Sequence, residues 1–205
     1  MTQTRLAAAS ALTVTTGAGV MLFALVTVPG PWWQGYVSEA GTAGRPYAMV
    51  YRLGLILLAT GVALLGPALR RAGLLLLVAA VLAGTSSVVP CSEQCPLPPY
   101  ETTTLADIVH TAASILGMAG LAAAMALTWS AAVRPAVRRL TGAALTLTVP
   151  LGAALGLTML FAGRGTASAV LERILLVVAA SWLVGTALLT TFPPSNNLAY
   201  ADRMQ

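Results

Sequence analysis

Apolar runs separated by short polar or charged intervals follow one another along the whole chain. The first, Leu6 to Val28, carries no charge and is long enough to cross about 30 Å of hydrocarbon at about 1.5 Å per residue. It exceeds the apolar core of a cleavable signal, and no small-x-small pattern precedes Pro29, so a retained span is expected. Further runs cover 48–65, 72–89, 105–128, 140–162 and 170–191. Their stops are physical: Gly66-Pro67, Pro90, Trp129 at an interface, Gly163-Arg164-Gly165, and Phe192-Pro193-Pro194. The pattern predicts an all-α, polytopic transmembrane six-helix bundle, one integral membrane domain over 1–205, with loops too short for a soluble domain.

Composition agrees with that solvent. Hydrophobic side chains make up 58% and charged ones 8%, against about 25% charge in soluble domains, and the mean hydropathy is +0.84. The net charge of +5 comes from eleven basic residues, all of them arginine. An even number of spans puts both termini on one side, together with Arg5, Arg70, Arg71, Arg134, Arg138, Arg139 and Arg203. The other side holds Arg45, Arg52, Arg164 and Arg173 with the acids Glu39, Glu93, Glu101, Asp107 and Glu172. The positive-inside rule then predicts cytoplasmic N- and C-termini. Charge serves topology and anionic headgroups here, so membrane lipids are expected partners and nucleic acid is not. A lysine-free, Ala- and Arg-rich chain fits a high-GC bacterial genome, and the bacterial plasma membrane is the expected location.

Ionisable groups inside spans cost about 2.5 to 3.5 kcal/mol each on insertion scales, so they normally face protein, a partner or water. Arg52, Asp107, His110, Glu172 and Arg173 all fall near the non-cytoplasmic ends of the second, fourth and sixth spans, where opposite signs can neutralise one another. At 100° per residue, Thr103, Asp107, His110, Thr111 and Ser114 share one face of the fourth span. Asp107 and His110, three apart, are close enough to hydrogen-bond. They serve either an acid–base or proton-relay dyad, with Glu172 as a further catalytic candidate, or a structural network that ties helix ends. An Asp-His-Ser hydrolase ending on Ser114 is disfavoured, because nucleophilic triads draw on several segments and no nucleophile-elbow glycines are present.

Metal coordination is not expected from one histidine, two close cysteines and scattered carboxylates, and no cofactor is predicted. Cys91 and Cys95 suit a structural disulfide that stiffens a loop rich in proline (Pro96, Pro98, Pro99), which could act as a lid. Redox relay would need a second pair. Trp32, Trp33 and Tyr36 fit interface anchors, with ligand contact by Trp33 as the alternative. No internal repeat is evident, and residues such as Gly117, Gly120 and Ala124 allow close helix packing.

The segments VYRLGLILLATG, DIVHTAASILGM and LERILL together resemble the bacterial and archaeal membrane family known as domain of unknown function 998. The resemblance runs from the first span to the sixth. It implies a six-span helical fold and draws attention to Arg52, Asp107, His110, Glu172 and Arg173, without implying a reaction; the CSEQC loop departs from the general pattern. Three functions remain open. One is a polar pocket facing the outer leaflet that binds a small amphiphile or lipid, with Arg52 and Arg173 on anionic groups and Ser114 and Trp33 in the lining. A second is an acid–base enzyme acting on a lipid or isoprenoid-like substrate. The third is an accessory subunit whose partner is a larger membrane complex.

Overall fold

The computed structural model describes residues 3–28, 30–97 and 101–192, and among these the regular structure is entirely helical. Pro29, Pro98 and Pro99, the Pro193-Pro194 stop and the tail with Arg203 lie outside the described residues. Six α-helices follow in order: α1 (Gln3–Val26), α2 (Ala48–Leu65), α3 (Gly73–Val88), α4 (Leu105–Ala131), α5 (Pro135–Phe161) and α6 (Thr166–Thr191). Short 3-10 turns occupy Val37–Gly41 and Gly66–Ala68. Five helices are long and apolar enough to cross a membrane. The exception, α3, has 16 residues, about 24 Å of rise. Pro90 closes it from below, since the residue before proline is driven out of helical conformation.

The other ends mostly outrun the apolar pattern. Helix α1 includes Arg5, α5 begins at Pro135 and takes in Arg138 and Arg139, and α6 begins at Thr166. Hydropathy registers only the hydrocarbon-facing turns, whereas the backbone stays helical into the interface, where long arginine stems keep their heads in water. Arg138 covers the Trp129 ring at 5.7 Å. Arg134 precedes Pro135, a favoured first helical residue, and donates to the carbonyls of Leu189 and Phe192, so it caps the end of α6.

Each helix packs on its neighbours in sequence, and α1 also packs on α6, which closes a ring. Trp182, Met125, Leu76, Leu65 and Val14 are fully or nearly fully buried in it. The Trp182 indole N–H donates to Thr141 Oγ1 at 3.0 Å, so the largest core side chain keeps its polar atom paired. Helices α1 and α2 approach through glycine: a methyl group on Gly17 would lie 2.6 Å from the Gly54 carbonyl oxygen. Gly117 and Gly120 on α4 have only ordinary contact distances to α3. Large apolar side chains such as Leu12, Leu74, Leu147 and Phe161 cover the outside, as suits a bundle solvated by lipid. The connections 27–47, 89–104 and 162–165 gather at one end of the ring, here called the rim.

Candidate functional site

Two corners of the rim hold the buried polar groups. At the first, α4 begins with a capping box, Thr104-Leu105-Ala106-Asp107. The Asp107 carboxylate accepts from the Thr104 N–H at 2.8 Å and hydroxyl at 2.7 Å, and from the Ser92 N–H at 2.6 Å and hydroxyl at 3.0 Å. With four donors, Asp107 is 1% exposed. His110 points elsewhere. Its Nδ1 lies 3.1 Å from the Ser86 carbonyl and 3.0 Å from that of Val89. Carbonyls only accept, so Nδ1 carries the proton and the imidazole caps the last turn of α3. Ser86 Oγ in turn lies 3.1 Å from Ser114 Oγ and donates to the His110 carbonyl at 3.4 Å.

The hydrogen bond anticipated between Asp107 and His110 is therefore not formed; each side chain satisfies backbone groups that helix ends leave open. The Thr-x-x-Asp spacing of Asp107's cap was readable from sequence. The α3 carbonyls that claim His110 were not, because they arrive from 21 and 24 residues upstream.

At the second corner, α6 grips the 27–47 connection. Glu172 accepts from the Val37 N–H at 2.7 Å. Arg173 donates to the carbonyls of Gly35 at 2.9 Å, Ala169 at 2.8 Å and Trp32 at 2.6 Å. Arg52 of α2 donates from Nε to the Gly41 carbonyl at 2.8 Å. No contact ion pair joins Arg52, Asp107, Glu172 and Arg173 among the described residues, although Glu172 and Arg173, adjacent in sequence, act on each other through space. An irregular loop packed on a helical ring brings many unpaired N–H and C=O groups, and these have claimed the charges.

The ion pairing instead centres on Glu39, whose importance the sequence did not signal. Glu39 is 7% exposed. Arg164 donates to it through Nε at 3.0 Å and a terminal nitrogen at 2.8 Å, and the Tyr36 N–H adds a bond at 2.8 Å. Arg45 stands off at 3.9 Å. The other terminal nitrogen of Arg164 donates to Gln94 Oε1 at 3.4 Å, so one guanidinium joins all three rim connections. Gln94 and Cys95 take positive φ angles of 69° and 48°, a turn that brings Cys91 and Cys95 to disulfide distance with Cα atoms 5.0 Å apart. Both cysteines are buried against Tyr36, Leu97 and Met159. Burial pushes the Tyr36 phenol above its ordinary pKa. Among the described residues no three His, Cys, Asp or Glu side chains gather as metal ligands.

Two hollows open beside these groups. One, of about 340 Å³, is lined by residues 43–50 and Arg52. The other, of about 220 Å³, lies under the 27–47 connection and is lined by Trp32, Tyr36, Glu39 and Arg164 among others. Arg45 lines both. Of the side chains singled out from sequence, Arg52 lines the larger hollow and Trp32 and Tyr36 the smaller; Asp107, His110, Ser114, Glu172, Arg173 and Trp33 line neither. Trp33 stacks edge-on against Trp32 at 6.2 Å, with both rings about half exposed. The larger hollow has two arginines and no carboxylate in its wall. The terminal nitrogens of Arg52 have no hydrogen-bond partner among the described residues.

A family model described as "Protein of unknown function (DUF998)" matches residues 7–189. Nothing among the curated proteins or the solved structures matches the chain.

Proposed function

We propose that this chain, which belongs to the DUF998 family of proteins of unknown function, holds an anionic headgroup in the Arg45–Arg52 hollow at the outer rim of a bacterial plasma-membrane bundle. The supporting observation is the larger hollow itself: two guanidinium groups, no acid in the wall, and donor nitrogens on Arg52 left open. Arginine's planar fork suits phosphate and carboxylate oxygens, and its charge makes such bonds strong. Orientation follows from arginine placement, with Arg70, Arg71, Arg134, Arg138 and Arg139 at the end away from the rim. All six helices cross in this arrangement. Short as it is, α3 must link the same two ends that α2 and α4 link, and both termini are then cytoplasmic.

Native mass spectrometry of protein released from mild detergent tests the binding. Anionic lipid retained by the wild type is lost when Arg45 and Arg52 are both replaced by Gln; equal retention by the double variant overturns the proposal. Reporter fusions at residues 70 and 94 test the orientation, with the first cytoplasmic and the second outside.

One observation supports a second function. Donation from Nδ1 leaves His110 Nε2 with a free lone pair, the form a general base requires. In an acid–base enzyme of this kind the α3 carbonyls, rather than Asp107, orient the ring. Loss of lipid turnover in His110→Gln with an unchanged melting temperature would favour it over headgroup binding.

A further inference from the structure

The hollow's surroundings carry information about what fills it. Arg52 sits on α2 beside a row of exposed, mostly apolar side chains. At 100° per residue, Met49, Arg52, Leu53, Ile56 and Thr60 fall within an arc of about 100°. Met49, Leu53 and Ile56 are 74%, 55% and 42% exposed. The Thr60 hydroxyl is returned to the Ile56 carbonyl at 2.9 Å, which leaves its methyl group to face outward with the row. Met49 both lines the hollow and begins the row, so the polar floor and the apolar strip are continuous. From Met49 to Thr60 the strip descends about 16 Å. Tyr47, also in the lining, stacks edge-on against Phe23 of α1 with ring centroids 5.5 Å apart, which gives the strip an aromatic shoulder where it meets the rim. The exposed α5 face of Leu147, Leu157 and Leu160 leads to neither hollow.

We infer that the ligand is a membrane-resident lipid with a phosphate-bearing headgroup, which reaches the Arg45–Arg52 hollow sideways from the outer leaflet and lays an acyl chain along the Met49–Thr60 strip of α2. This rests on the headgroup proposal above and adds the source of the phosphate. The occupant follows from charge complementarity. Arg52 keeps its terminal nitrogens open, and Arg45 meets Glu39 only at 3.9 Å whereas Arg164 holds that carboxylate at 2.8 Å, so the hollow keeps positive charge that a phosphate can take up. A soluble phosphate would use the guanidinium groups and leave the strip without a role. A lipid uses both, and its chain exchanges only with other chains, so selectivity resides in the headgroup.

The experiment uses the full chain in nanodiscs containing trace phosphatidic acid with a photoactivatable acyl chain, and maps labelled peptides. In parallel, glycerol 1-phosphate binding is measured by calorimetry. The expected result is labelling concentrated on residues 47–60, with α5 labelled as background. Labelling of that segment should fall by at least about tenfold in the Arg45→Gln/Arg52→Gln variant, since two charge-assisted contacts are lost and one alone is worth about a decade, while glycerol 1-phosphate binds weakly or not at all. A phosphatidylcholine probe with the same chain, used on the wild type, needs no variant to fold and should label 47–60 no more than α5. If glycerol 1-phosphate binds the wild type and not the double variant, while labelling of 47–60 ignores the headgroup, the sideways lipid is overturned and the anion site stands. If neither signal depends on the arginines, both proposals fall.

Discussion

The two corners of the rim solve the same problem with different chemistry. Where α3 meets α4, a carboxylate and an imidazole are spent on backbone and hydroxyl groups, with four donors on Asp107 and two carbonyls facing His110. Where α1, α2 and α6 meet the 27–47 connection, charges of both signs crowd together, yet only Glu39 and Arg164 pair closely. At the first corner the Asp107 carboxylate and His110 Nδ1 are spent on the fold, and of these two side chains only His110 Nε2 is left open. The second carries surplus positive charge, since Arg45 and Arg52 retain unused donors beside open space. Saturation, rather than burial or polarity, separates groups that hold the fold from groups free to hold something else.

Four substitutions sharpen or break that contrast. The largest effect is expected for Asp107→Ala, which strands the N–H groups of Ser92 and Thr104 and undoes the cap on α4. A loss of about 3 kcal/mol should appear as a lower unfolding midpoint in detergent. A wild-type midpoint would mean the first corner bears no load. Glu39→Gln comes next, at about 2 kcal/mol, because Arg164 loses its charged partner while part of its side chain can still reach water. A double-mutant cycle with Arg164→Gln should recover about 1 kcal/mol of coupling, and additive effects would deny the pair its linking role.

His110→Ala should cost about 1 kcal/mol and raise amide exchange at the end of α3, where the carbonyls of Ser86 and Val89 lose their donor. Unchanged protection there would show that the imidazole caps nothing. The smallest effect on stability is expected for Arg52→Gln, within about 0.5 kcal/mol of wild type, because only one bond to the Gly41 carbonyl is given up. The same variant should show the clearest drop in retained anionic lipid. A destabilised Arg52→Gln that kept its lipid would reverse the assignment of the two corners.

Much of the architecture was legible from residue type alone. A hydrocarbon solvent leaves few options for a chain of this hydropathy, so helices and their approximate places followed, and α2 was located to the residue. Helix ends were less legible wherever arginine continued the backbone past the apolar window, as at Arg5, Arg138 and Arg139. The candidate residues were found as polar outliers, which they are, but their partners were not. Asp107 and His110 share a helix face in sequence and diverge in space because Ser92, Ser86 and Val89 compete for them. Glu39 and Arg164 lie 125 residues apart, outside the spans where a charge looks anomalous, so no local pattern could connect them.

The sequence by itself determined the solvent, the helical class and the asymmetry of charge between the two ends, because each depends on summed transfer energies and position along the chain. Only the tertiary structure decided which polar groups are spent and which remain available. Ring closure between α1 and α6 brings three loops together, and the unpaired backbone of those loops, invisible in any pattern of side chains, selects the partners.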